Sequence, residues 1–261
     1  MVYYTHDVTP VRQEELWRLR SDLPPDIDVW AMGCCDERGA LARLGIDQVR
    51  VASYVREDLR VLPYPARLGV TNWATLRNSP DLAIMRFWQD HPDYDYYWFV
   101  EYDVRFTGSW SNIFDDLLRT EADLLGAYIC SHASFPEWFH WAKFSTPGAL
   151  VEDEDKVRGF FPFCRLSSRL IGLIDRHCRQ GWTGHPECLW PTVARLHGCT
   201  IEEIGGHGAY VPESRKGKYY HCSEGSAVFL STFMSWPNYS HSSRFSSTAQ
   251  PPDTLWHPVK D

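Results

Sequence analysis

Two hydrophobic periods take turns along this chain. Val2–Tyr4 is a short apolar run that predicts a strand. From Pro10 to Leu23 the apolar positions Leu16, Leu19 and Leu23 fall on one helical face, with Thr9 placed to cap the helix and Pro10 at its first position. Asp28–Gly33 and Gln48–Tyr54 then read as strands. The opening is therefore β-α-β, the start of a layered α/β domain. Arg60–Gly69 carries Pro63 and Pro65 and predicts an irregular connection. Ser79-Pro80-Asp81 predicts a capped helix start, Leu82, Met85 and Trp88 keep one apolar face, and Pro92 marks the stop.

The second half continues the alternation with one interruption. A helix is predicted over Trp110–Glu121 and a buried strand over Asp123–Cys130. Ser131–Gly159 breaks the pattern: Trp138, Phe139, His140, Trp141 and Phe144 precede the acidic run Glu152-Asp153-Glu154-Asp155. A connection of that length is usually functional or mobile. A strand over Phe160–Leu166, a helix over Ser167–Gln180 and a turn over Gly181–Pro186 follow. Glu187 stands at the head of a helix that ends near His197-Gly198. Thr200–Ile204 reads as a last strand. Gly205–Gly208 and Ser240–Pro252 are rich in Gly, Ser or Pro and predict loops, the second a lid that orders on ligand binding.

The segment with the clearest chemistry is Tyr96-Tyr97-Trp98-Phe99-Val100-Glu101-Tyr102-Asp103-Val104. Its apolar run predicts a central strand covered on both faces. It ends in two carboxylates at i and i+2, which are costly to bury without a partner. Ligands of open α/β sheets bind outside the carboxyl ends of strands. Glu101 and Asp103 are thereby candidates for a metal or a phosphate-bearing ligand. Tyr4, Thr5 and His6, at the carboxyl end of the first strand, are candidates for a nucleotide's base or ribose.

Glu101-Tyr102-Asp103 resembles the acidic DxD-type motif of nucleotide-sugar glycosyltransferases of the GT-A fold, with Glu in place of the first Asp. Leu255-Trp256-His257-Pro258-Val259-Lys260 resembles the C-terminal histidine element of the same fold. The resemblance implies a GT-A-like, Rossmann-type α/β domain over residues 1–261, with a mainly parallel central sheet flanked by helices. Residues 1–103 would form the nucleotide-binding half, and 104–261 the acceptor-binding half with a C-terminal lid. It implies a divalent metal, Mn2+ or Mg2+, held by Asp103, His257 and Glu101. Lys260 and Arg105 would face the donor diphosphate, and Glu187 would be the catalytic or acceptor-binding acid. The implied partners are a UDP-sugar donor and a glycan or other hydroxyl acceptor. Trp138 and Trp141 are the candidate acceptor platform, since aromatic faces stack on sugar rings.

Composition narrows the field. The chain has 261 residues, 44% hydrophobic and 23% charged, which suits one sizeable α/β domain. A formal net charge of −8 argues against non-specific binding to nucleic acid or anionic lipid. The first residues carry no basic and apolar leader, and no stretch reaches the ~20 apolar residues of a membrane span, so a cytoplasmic protein is expected. The eight cysteines have no CxxC pair or zinc spacing and are expected to be reduced. Walker A, GxSxG and GxGxxG signatures are missing, which argues against P-loop kinases, α/β hydrolases and dinucleotide enzymes. Two alternatives to a transferase stay open: a non-catalytic nucleotide- or sugar-binding module on a decayed transferase fold, and a metal-dependent nucleotidyltransferase or phosphoesterase.

Overall fold

The strand over Tyr96–Glu101 forms as its pattern requires, and its side chains divide between two cores. Tyr97 and Phe99 enter one hydrophobic layer, Trp98 and Val100 the other. In the computed structural model, which describes residues 1–68, 80–222, 231–234, 240–245 and 250–260, this strand is β4 of a seven-stranded sheet. The strands before it are β1 (Val2–Tyr4), β2 (Val29–Cys34) and β3 (Val49–Tyr54). After it come β5 (Arg105–Phe106), β6 (Leu124–Ser131), β7 (Val157–Ser167), β8 (Ile201–Glu203) and β9 (Leu255–Trp256).

The main sheet has the order β3-β2-β1-β4-β7-β6-β8. Strands β1 to β4 pair in parallel, and β6 pairs in parallel with β8. Only β7 runs the other way, against both β4 and β6. The expected α/β class with a mainly parallel sheet flanked by helices is the observed one. Helices Pro80–Asp90, Ser168–Arg179 and Pro186–Leu196 cover one face, and Pro10–Asp22 and Trp110–Leu117 cover the other. On the latter side Trp98 stacks on Phe163 at 5.4 Å and meets Phe114 edge-on at 5.1 Å, so large aromatics fill the layer.

Local signals were mostly realised. Thr9 caps the first helix by accepting from the Arg12 amide, and Ser167 caps Ser168–Arg179 by accepting from the Leu170 amide. Differences have physical reasons. The connection after Arg60 contains a short helix, Pro65–Leu68, because Pro65 is well suited to a first helical turn. The helix predicted to Glu121 stops at Leu117, with Leu118 as its C-cap. Thr200–Ile204 is not the last strand, because Leu255–Trp256 adds a two-residue strand antiparallel to Arg105–Phe106. Ser79, the predicted cap of Pro80–Asp90, lies outside the described residues, as do 246–249 of the predicted lid. All eight cysteines are free thiols. Among the described residues no helix is long and apolar enough to cross a membrane.

Gly33 lets the ends of β1 and β2 meet. A Cβ there would sit 1.7 Å from the Thr5 carbonyl oxygen. No side chain fits in that space, so glycine is what allows β1 to deliver residues 4 to 6 to the sheet's carboxyl edge.

Candidate metal and substrate cleft

The carboxyl edge of β4 is where three distant pieces of chain converge. Tyr4 of β1 pairs in register with Glu101 of β4, which fixes the two strand ends side by side. The chain then turns, and Asp103 folds inward to 2% exposure. Segment 250–260 packs along this turn. Leu255 and Trp256 are buried and pair with β5, and the Val259 amide donates to the Asp103 carbonyl at 2.8 Å. That docking carries His257 and Lys260 to the acidic turn.

His257 Nε2 lies 3.5 Å from Asp103 Oδ1 and 3.6 Å from Glu101 Oε2. Its other ring nitrogen, Nδ1, is 2.8 Å from the Met234 carbonyl oxygen. A carbonyl oxygen only accepts, so Nδ1 carries a proton and Nε2 faces the two carboxylates. Asp103 Oδ1 is buried with no hydrogen-bond partner among the described residues. Asp103 Oδ2 accepts from the Lys260 ammonium, which also reaches the Tyr102 hydroxyl at 3.3 Å.

These contacts set the charges. Burial alone would lower the His257 pKa, but the neighbouring Asp103 and Glu101 outweigh it and push it up to about 9. Burial alone would raise Asp103; His257 and Lys260 outweigh it and hold the carboxyl well below its ordinary range. Lys260 is itself raised, because Asp103 outweighs its partial burial. Two carboxylates and an imidazole thus face one another, with positive charge supplied by the His257 proton and by Lys260. Glu101, Asp103 and His257 offer one ligand atom each within 4.8 Å of one another. An oxygen-rich set with a single imidazole suits a hard or borderline divalent ion, and Nδ1 anchored on a carbonyl is the usual support for a ligating histidine.

The Glu101 and His257 end of this cluster opens into a cleft of about 520 Å³ whose lining also includes Tyr4, His185 and Glu187. Glu187 lies in the first turn of Pro186–Leu196, the helix capped by His185. Burial, with Glu101 adding to it and Arg158 opposing it, pushes Glu187 up to about 8. His185 Nδ1 stands 3.6 Å from Glu187 Oε2. Burial and the nearby His140, Arg67, Lys143 and Arg158 push His185 down to about 3. At neutral pH the pair is thus a protonated carboxyl beside a neutral imidazole.

The long connection after β6 contributes His140 and Lys143 to the lining of the cleft, while Trp138 and Trp141 are not among its lining residues. It is three short 3-10 turns pinned by Ser145 and Thr183, which exchange two backbone hydrogen bonds at 2.9 and 3.0 Å. Trp138 is buried, its ring covered by the Arg158 guanidinium at 4.4 Å and by Trp141 edge-on at 5.2 Å. Trp141 is half-buried, and its indole N–H donates to the Phe135 carbonyl. His140 stacks on His185 at 3.9 Å, and its Nδ1 is buried without a partner. Asp153, in the acidic run, is exposed and pairs with Lys156.

The remaining candidates sit as follows. Tyr4 lines the cleft. Thr5 is fully buried and donates to the Asp7 carbonyl at 2.9 Å. His6 meets the Tyr102 ring edge-on at 5.0 Å, and Arg12 covers that ring at 3.8 Å. Arg105 is buried, donates to the Tyr102 and Val104 carbonyls and pairs with Glu15. Sequence reasoning gave no role to His140, Lys143, Arg158 or His185. The two histidines lie in stretches it singled out; nothing local marked the lysine or the arginine.

A family profile described as "Protein of unknown function (DUF3405)" matches residues 51–123, less than half of the chain but including Glu101 and Asp103. Among solved structures, galactosyltransferase LgtC in complex with donor and acceptor sugar analogues aligns at 12% identity and TM-score 0.43, over 77% of this chain and 72% of that one. Mouse xyloside xylosyltransferase 1 aligns at 11% identity and TM-score 0.39, over 77% and 83%. The WbbM bifunctional glycosyltransferase aligns at 8% identity and TM-score 0.41, over 82% of this chain and 37% of that one. No curated protein matches the sequence.

Proposed function

We propose that this protein is a metal-dependent glycosyltransferase that moves a sugar from a nucleoside-diphosphate donor to a hydroxyl acceptor. One observation carries the reading. Asp103 Oδ1, buried and without a hydrogen bond among the described residues, gathers with Glu101 and His257 so that one ligand atom of each lies within 4.8 Å of the others, beside the cleft that Glu187 lines. The Glu101-Tyr102-Asp103 and His257 elements of the sequence support the same family.

In this reading Asp103, His257 and Glu101 hold Mn2+ or Mg2+. When bound, the ion neutralises the charge that grows on the diphosphate as the glycosidic bond breaks. The mixed donor set favours Mn2+ over Mg2+, which prefers oxygen and water ligands. Lys260 turns from Asp103 towards the diphosphate and adds a point charge there. Arg105 holds the acidic turn through its carbonyl contacts and contributes positive charge from behind it. Tyr4, Thr5 and His6 border the nucleoside, which the family resemblance makes uridine. The acceptor enters from the Trp138 and Trp141 side. Glu187 hydrogen-bonds the acceptor hydroxyl and, if the reaction inverts configuration, takes its proton in the ionised form that predominates above about pH 8. Residues 1–103 serve the nucleotide and 104–261 the acceptor.

The test is donor turnover. Purified protein is incubated with UDP- and GDP-sugars, with Mn2+, with Mg2+ or with chelator, and nucleotide release is followed. The reading expects metal-dependent release from at least one donor, lost in Asp103→Asn and strongly reduced in Glu187→Gln. Metal-dependent binding of nucleotide without release or transfer would favour a binding module instead.

A further inference from the structure

Beside the Glu187 end of the cleft stand two cations with no ion-pair partner among the described residues. Lys143, exposed on the Phe139–Lys143 turn, lines the cleft and has no carboxylate partner among the described residues. Arg158, near the start of β7, is not among the residues lining the cleft; its guanidinium carbon lies 4.4 Å from the Trp138 ring centre and 5.1 Å from the Phe135 ring centre. It makes no ion pair among the described residues, and its Nε is buried without a hydrogen-bond partner. The stacked imidazoles of His140 and His185 line the same cleft as Lys143. Arg67, by contrast, is neutralised locally by Asp81.

Such a cluster is unusual in a chain of formal net charge −8. Three other interior cations are matched, Arg12 by Asp7, Arg215 by Glu202, and Arg165 by three carbonyls. A guanidinium partly removed from water with no anion beside it has given up hydration without return. The acids nearest in sequence, Glu152 to Asp155, make no ion pair with Arg158 among the described residues, Asp153 pairing instead with Lys156, and burial pushes Glu187 of the same cleft up to about 8. The stacked histidines offer donors in addition. The missing partner is an anion that arrives with the substrate.

We propose that this end of the cleft recognises a carboxylate or phosphate on the sugar substrate, gripped by Lys143 and Arg158 with His140 and His185 beside it. The inference rests on the glycosyltransferase reading for the identity of the substrate as a sugar. Arg158 offers the planar fork suited to a carboxylate or phosphate, and it packs against the Trp138 ring. Lys143 adds a mobile point charge at the rim. The anionic group belongs either to the acceptor or to the transferred sugar of the donor; the chemistry of recognition is the same.

The experiment separates these sources. With the protein saturated in UDP and Mn2+, glucuronate, glucose 6-phosphate and neutral glucose are titrated by calorimetry. In parallel, UDP-glucuronate is compared with UDP-glucose on Mn2+-loaded protein. The same titrations are run on Lys143→Ala, whose side chain is exposed, and on Arg158→Gln. An anionic acceptor is expected to show as at least a tenfold advantage of the charged free sugars over glucose; an anionic donor shows it between the two nucleotide sugars. In either case the advantage falls at least severalfold in Lys143→Ala while UDP affinity is unchanged. Equal affinity for charged and neutral sugars in both arms, or an advantage that survives both substitutions, overturns the proposal. Failure of the transferase reading itself registers separately, as absence of UDP binding to wild-type protein.

Discussion

His257 Nε2 and Asp103 Oδ1 face each other at 3.5 Å across a gap with no hydrogen-bond partner for the oxygen. They are far apart in sequence and meet because Leu255–Trp256 pairs with Arg105–Phe106. Without metal, the charge between them is a proton on His257. A metal must displace that proton, so its binding is coupled to pH. With His257 at about 9, apparent Mn2+ affinity is expected to rise roughly tenfold per pH unit up to that value. Calorimetry in buffers of different ionisation enthalpy should show close to one proton released per ion near neutral pH. No proton release would remove His257 from the ligand set.

The same pair affects stability in the metal-free protein. A raised histidine pKa stabilises the fold fully below the unfolded value, near 6.5, and that contribution fades as pH rises through about 9. A depressed Asp103 pKa works in the opposite sense: its contribution is present above the unfolded carboxyl value and fades as pH falls below it. Thermal melts with chelator should therefore show a broad optimum between those limits. His257→Gln should cost most inside that window and least above pH 9.

Glu187 carries the opposite sign. Its folded pKa of about 8 lies above the ordinary carboxyl value, so wild-type protein loses stability as pH rises from that ordinary value to about 8. Glu187→Gln escapes this loss. Its melting temperature should match wild type near pH 4 and exceed it by several degrees above pH 8. Equal melting temperatures at all pH values would place Glu187 in a more solvated setting than the cleft described.

Gly33→Ala tests the strand edge. Its Cβ would overlap the Thr5 carbonyl oxygen, and backbone on both sides leaves little room to give. A loss of about 1–3 kcal/mol or more is expected, read by denaturant unfolding. A neutral substitution would show that β1 and β2 sit further apart at their carboxyl ends.

How much of this was legible varies by element. Tyr96–Glu101 and the capped helix at Thr9 were readable because burial and capping leave local signatures. The direction of β7 was not, since a strand buried on both faces has the same pattern whichever way it runs. Leu255–Trp256 is too short for any period to reveal. The pairing of His257 with Asp103 came from family resemblance alone, because no local rule joins two such distant residues. The grouping of Lys143 and Arg158 near Glu187 depends on Ser145 and Thr183 pinning the long connection in place. No sequence signal announces that contact.

The central claim is that the Glu101, Asp103 and His257 cluster holds the metal through which a nucleoside diphosphate binds. Calorimetric titration of UDP tests it most directly, on wild type and Asp103→Asn, each with saturating Mn2+ and with chelator. Wild type should bind UDP with Mn2+ and lose that binding in chelator. Asp103→Asn, checked as folded by circular dichroism, should bind about 10–100-fold more weakly with Mn2+ present. UDP binding of equal strength with and without metal, or in wild type and Asp103→Asn alike, would contradict the account.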